Sequence, residues 1–165
     1  MTSDPSEDPP QQGGKTMRYE TVLVATDFSE AADAAVEAAV ELARHFEAEL
    51  VLLHAYNVEI PIASPAMSGG YVLPDGFFEQ IGKQARAQVE KAAKEITEHG
   101  VRCDGVAFDE PAAMAIVGEA ERRGADLIVM GTRGLTGLKH MALGSVADRV
   151  VRTAPCPVMT VPSSD

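Results

Sequence analysis

Short apolar runs alternate with longer amphipathic stretches along this chain. Thr21-Val22-Leu23-Val24-Ala25-Thr26 is continuously apolar at its centre, the pattern of a strand buried on both faces. Glu49 to Ala55 (ELVLLHA), Ala125 to Met130 (ADLIVM) and Val158 to Val161 read the same way. Val101 to Phe108 is a weaker strand, because Arg102, Asp104 and Gly105 interrupt it. Between these runs the apolar residues recur at helical spacing. Ala32, Val36, Ala39, Ala43 and Phe46 form the first stripe, with Ser29 placed to cap it. Phe78, Ile81, Ala85, Val89, Ala92 and Ile96 form the second, ahead of Gly100 at a helix-ending position. A third helix starts near Pro111, runs through Ala113, Ile116, Val117 and Ala120, and stops at Gly124. The fourth, Gly144 to Thr153, presents Val146 and Val150 on one face and ends before Pro155. The order β-α-β-α-β-α-β-α-β predicts a doubly wound α/β domain, a parallel sheet with helices on both faces. Ligands of such sheets sit at the carboxyl ends of the strands, where the winding reverses.

Two segments fall outside this pattern. Residues 1–16, polar and rich in Pro and Gly, are expected to be a disordered tail, leaving 17–165 as the folded domain; Met17 serves as a start as well as Met1 does. Tyr56 to Asp75, rich in Pro, Ser and Gly, is a long loop, either a lid or a partly disordered excursion.

Composition then narrows the function by exclusion. With 165 residues, 45% of them hydrophobic, the chain has material for one domain with a sizeable core. Lys and Arg number 14 against 25 Asp and Glu, a formal net charge of -11, which disfavours a sequence-independent grip on nucleic acid or on an acidic membrane surface. No apolar run approaches the roughly 20 residues that span a bilayer, and the polar N-terminus lacks the pattern of a signal peptide. Cys103 and Cys156, without CxxC spacing, read as small apolar fillers, and a cytoplasmic setting is expected. The acidic excess would also suit a high-salt cytoplasm.

Two strand ends carry candidate chemistry: Ala25-Thr26-Asp27 after the first strand, and Met130-Gly131-Thr132-Arg133-Gly134 after the fourth. The second continues to Gly144, with Ser145 opening a helix. Glycines admit positive φ and close approach of a ligand, and the free N–H groups of a helix start attract an anion, so together they describe a phosphate cradle. Asp27 reads either as a ligand acceptor or as part of the cap on the helix near Ser29. No GxxxxGK[ST], GxGxxG or G-x-S-x-G motif is present, which sets aside a P-loop, an ordinary dinucleotide site and a nucleophile built from Ser145 with His140 and Asp27. His54, inside a strand, is expected to be a satisfied buried histidine. What does match is G-x2-G-x9-G-[ST], at Gly131, Gly134, Gly144 and Ser145.

With VLVATDFSE at Val22 to Glu30, LLHAY at Leu52 to Tyr56, ADLIVMGTRG at Ala125 to Gly134 and LGSVADRVVRTAPCPVMTV at Leu143 to Val161, the chain resembles the universal stress protein family, in particular its ATP-binding branch. The resemblance covers nearly all of residues 18–162 and implies the adenine nucleotide alpha-hydrolase-like fold, a five-stranded parallel sheet of order 3-2-1-4-5. It implies ATP with a divalent cation, Mg²⁺ or Mn²⁺, and residue by residue a site at Ala25, Thr26 and Asp27, with Asp27 on the ribose. The backbone at Ala55 would meet the adenine, and Met130 and Gly131 would line the nucleoside pocket. Gly134, Gly144, Ser145 and Val146 would hold the phosphates, with Arg133 among the few nearby positive charges. Phe108-Asp109-Glu110-Pro111 departs from the family's usual glycine before the third helix and sets two carboxylates near the rim, so strong dependence on the cation is expected. The function implied is a nucleotide-dependent stress sensor or regulator acting on a protein partner, homodimeric through the last strand, Pro157 to Val161. The alternatives are a nucleotide-free interaction module on the same fold and a slow ATPase or phosphotransferase.

Overall fold

A computed structural model describes residues 18–57, 75–132 and 143–162. Nine elements follow in order: β1 (Thr21–Ala25), α1 (Glu30–Phe46), β2 (Glu49–Tyr56), α2 (Phe77–Glu98), β3 (Cys103–Asp109), α3 (Ala112–Arg123), β4 (Leu127–Gly131), α4 (Ser145–Thr153) and β5 (Val158–Val161). The strands form one parallel sheet of order β3-β2-β1-β4-β5, as the family resemblance implies.

Alternation along the strands sorts the core into two layers. Val22 and Val24 of β1, Leu50 and Leu52 of β2, and Leu127 and Val129 of β4 face α1 and α2. Leu23, Val51, Leu53, Ile128 and Met130 face α3 and α4. The inner side of α1 is Ala32, Ala35, Ala39 and Ala43, small enough to bring its backbone close to the sheet. Each fully buried Leu or Val contributes about 1.5–3 kcal/mol of transfer free energy, so the central strands carry most of the stability.

α1 is bounded as the sequence indicates at its start and differently at its end. Ser29 Oγ accepts from Ala32 N (3.2 Å), while the C-terminus closes on Glu47, a non-glycine residue in the left-handed region (φ 56°). α2 ends before Gly100 (φ 90°) and α3 on Gly124 (φ 61°), where a missing Cβ permits that conformation.

Several expectations are corrected. β3 starts at Cys103, because Val101 is buried just outside the strand and the Arg102 carbonyl accepts from Leu50 N (2.8 Å). β4 starts at Leu127, because Asp126 turns its carboxylate onto the backbone N–H groups of Glu20 and Thr21 (2.8 and 3.0 Å). Phe78 is 44% exposed, since the first turn of α2 overhangs the core; Gly82, Ala85, Val89 and Ala93 are its buried residues. Val146 is 39% exposed, and Ala147 joins Val150 on the inner face of α4. The expected tail and most of the Tyr56 to Asp75 loop lie outside the described residues, and β2 runs through Tyr56 itself.

Candidate functional site

The winding direction reverses between β1 and β4. From β1 the chain builds outward through β2 and β3 with α1 and α2 on one face, then returns to β4 and β5 with α3 and α4 on the other. The connections leaving β1 and β4 therefore diverge to opposite faces, and a crevice opens at their carboxyl ends. Asp27 lies on one side of it, and Gly131, Thr132 and the start of α4 lie on the other.

Ala25 ends β1, Ala55 and Met130 each stand one residue before the ends of β2 and β4, and all three turn their side chains to the same α3/α4 side. Thr26 points the opposite way. Its N–H donates to the Leu53 carbonyl (2.8 Å), which prolongs the pairing of β1 with β2, and its side chain is 6% exposed.

The turn from β1 into α1 is tightly tied. Thr26 Oγ1 accepts from Phe28 N (3.0 Å), and Asp27 Oδ1 accepts from both Ser29 N (3.0 Å) and Ser29 Oγ (2.5 Å). Phe28 takes a left-handed conformation (φ 59°), which costs a bulky residue on the order of 1–3 kcal/mol. Asp27 thus does support the helix cap, as one of its two sequence readings holds. A carboxylate shaped by its own turn has also been set in orientation at the strand end.

Across the crevice, Thr132 N donates to the Val161 carbonyl (2.9 Å), and the Thr132 carbonyl accepts from Gly144 N (2.7 Å). This second bond seats the first turn of α4 beside the end of β4. Gly144 is the N-cap, and among the described residues no side chain caps the helix. The amides of the first turn, those of Ser145 and Val146 included, have no partner within the helix, and the helix dipole adds partial positive charge there. Gly144 has φ −70° and Gly131 ends a strand, so neither uses the left-handed freedom expected of it. Arg133 and Gly134 lie outside the described residues.

The surrounding charge is mostly negative. Asp109 is exposed at the end of β3, Glu110 is half-buried before α3, and Asp148 in the first turn of α4 is paired with Arg152 (3.0 Å). Among the described residues no three His, Cys, Asp or Glu side chains come together to hold a metal ion. The described residues bring two kinds of polar group to the crevice, the Asp27 carboxylate and the backbone amides of an α4 start without a side-chain cap, and the latter suit an anion.

His54 and Phe28 are the residues that sequence reading underrated. His54 is half-buried and satisfied, with Nδ1 2.9 Å from the Thr26 carbonyl oxygen, and its ring meets that of Phe28 at 4.8 Å. Nothing in the run Asp27-Phe28-Ser29 announces a left-handed phenylalanine. A polar side chain inside an otherwise apolar strand was the available signal.

The sequence profile of the universal stress protein family matches residues 18–162. The chain is 37% identical over 145 residues to universal stress protein MJ0531 of Methanocaldococcus jannaschii, covering 87% of this chain and 82% of that one. The solved structure of hypothetical protein MJ0577 superimposes with a TM-score of 0.75 at 26% identity, covering 90% of this chain and 99% of the other. A universal stress protein crystallised in complex with cAMP gives a TM-score of 0.64 at 26% identity, covering 90% and 100%.

Proposed function

Because the chain belongs to the universal stress protein family, we propose that the crevice between β1 and β4 binds an adenine nucleotide, ATP with Mg²⁺ or Mn²⁺, and that the protein is a cytoplasmic stress-response regulator instead of a catalyst. The observation that carries this reading is the Thr132–Gly144 bond, which seats an α4 start without a side-chain cap beside the end of β4, across the sheet switch from Asp27. The cAMP bound by a structural relative supports the nucleoside half of the reading.

In this assignment Ala25 and Met130 shape the pocket with Gly131, Thr26 holds the turn that presents Asp27, Asp27 accepts from ribose hydroxyls, and the Ala55 backbone meets the adenine. The amides of Ser145 and Val146 hold phosphate oxygens beside Gly144, whose own N–H is held by the Thr132 carbonyl, helped by the Ser145 hydroxyl and by Arg133 and Gly134. The divalent cation supplies positive charge that offsets the triphosphate beside an acidic rim, and it would be held mainly through the phosphates. Bound nucleotide would alter a surface read by a protein partner. A second copy would join along Pro157 to Val161.

Mass spectrometry of the small molecule released on heat denaturation, followed by calorimetric titration with Mg·ATP, tests the assignment. Asp27→Asn, which retains an oxygen for Ser29 but loses the charge, should weaken Mg·ATP about tenfold. Gly144→Val should weaken it at least as much without unfolding the chain, since its φ of −70° suits any residue. EDTA should remove most of the affinity. Sustained ADP release would move the protein to the slow ATPase class. A chain that is purified empty and ignores Mg·ATP would instead be a nucleotide-free interaction module.

A further inference from the structure

The turn that carries Asp27 is held from the neighbouring strand by the His54 side chain. His54 Nδ1 lies 2.9 Å from the Thr26 carbonyl oxygen, in the peptide that leads into Asp27. A carbonyl oxygen only accepts, so Nδ1 must carry the proton; the neutral ring is then the Nδ1–H tautomer, with Nε2 an acceptor. The same ring backs Phe28, at a centroid distance of 4.8 Å and an interplanar angle of 55°. Phe28 is the left-handed residue of the turn, and strain of that kind persists only where neighbouring groups over-determine it. Tyr56 completes the cluster, nearly parallel to His54 at 6.4 Å.

We propose that His54 is a positioning residue for the nucleotide site: its Nδ1–H fixes the Thr26–Asp27 peptide and its ring supports Phe28, so that the Asp27 carboxylate is oriented before a ligand arrives. This rests on the reading of Asp27 as the ribose contact. Orientation set in advance removes an ordering cost that would otherwise be subtracted from affinity. Without the bond, Phe28 can relax toward negative φ, rotating the peptide units on either side of it and the carboxylate with them.

Three proteins test the proposal: the wild type, His54→Phe and His54→Asn. Phenylalanine keeps a ring against Phe28 and Tyr56 but removes the donor, whereas the asparagine amide places an N–H close to where Nδ1–H was. His54→Phe should weaken Mg·ATP by about fivefold to tenfold, and His54→Asn should recover most of that loss. Amide hydrogen exchange at Phe28 and Ser29, followed without nucleotide, should speed up in His54→Phe and return toward wild type in His54→Asn. Ring ¹⁵N shifts of the wild type should report the Nδ1–H tautomer. An Nε2–H tautomer overturns the proposal without any variant. So does His54→Phe binding Mg·ATP as tightly as wild type, or leaving exchange at Phe28 and Ser29 unchanged. Wild-type protein that ignores Mg·ATP overturns the nucleotide reading itself, and the exchange data, which need no nucleotide, tell the two failures apart.

Discussion

At the scale of single residues, the buried charge among the described residues is Glu119, on the inner side of α3 and 3% exposed. Arg122 Nε (2.7 Å) and Arg123 Nε (2.9 Å) donate to it, and Arg123 also pairs with Asp104 of β3. The Arg122 guanidinium, bonded to the carboxylate, outweighs the effect of burial and holds the Glu119 carboxyl below its ordinary value of 4.5. The folded form therefore binds this proton less readily than the unfolded form. The stabilisation is complete above about pH 5 and is lost as pH falls from the ordinary carboxylate range through the folded value. Urea midpoints should accordingly drop below pH 4.5, and Glu119→Gln should flatten part of that drop. At neutral pH Glu119→Ala should cost about 2 kcal/mol, measured by the same titration. Burial also pushes the Cys103 thiol up to about 12 and raises that of Cys156. Both should react slowly with a thiol-disulfide reagent at pH 8 and fully in guanidinium, in keeping with their reading as apolar fillers.

Among the elements, α1 and α2 owe their seating to individual small or capping residues. Ser29→Ala removes the acceptor for Ala32 N and one partner of Asp27, and should cost about 1 kcal/mol by thermal denaturation. Glu47→Gly should act in the other direction: relief of the left-handed cost exceeds the added chain entropy, raising stability by up to about 1 kcal/mol. Gly105 is where α2 crosses β3. A Cβ there would stand 2.7 Å from the Val89 carbonyl oxygen and 3.0 Å from Ala93 Cβ, so Gly105→Ala should destabilise by about 1–3 kcal/mol. The glycine that made β3 read as a weak strand is thus what lets a helix lie against it. The helix stripes were legible at Ala32, Ala39, Ala43, Ala85 and Val89 because a buried face imposes its period on the sequence. Phe78 and Val146 broke the pattern because they sit in first turns, where the helix has not yet met the sheet.

For the molecule as a whole, the two sheet edges differ in kind. β3 carries exposed Asp104 and Asp109, charges that deter pairing, whereas β5 is apolar, with Val158 and Val161 packed against the two core layers and Met159 41% exposed. A second copy should therefore add at β5. Light scattering at micromolar concentration should give a dimer mass for the wild type and a monomer mass for Met159→Asp. With a net charge of -11, self-repulsion opposes the compact state, and added salt should raise the thermal midpoint as it screens that repulsion. Loss of folded structure on dialysis to low salt is the stronger outcome expected of a high-salt protein. Among the described residues no helix is long and apolar enough to cross a membrane.

What the sequence determined by itself was the set of strands and helices, their parallel arrangement, and the two strand ends that carry candidate chemistry. These follow from local periodicity and from motif spacing, both of which are written along the chain. Strand order was legible only through resemblance, since β1 pairs with β4 across about a hundred intervening residues. Only the tertiary structure decided that Ala25, Ala55 and Met130 share one face, that the Thr132 carbonyl receives Gly144, and that His54 grips the turn of Asp27. Such contacts join residues distant in sequence, and their geometry depends on how β1, β2, β4 and α4 pack, which no local pattern records.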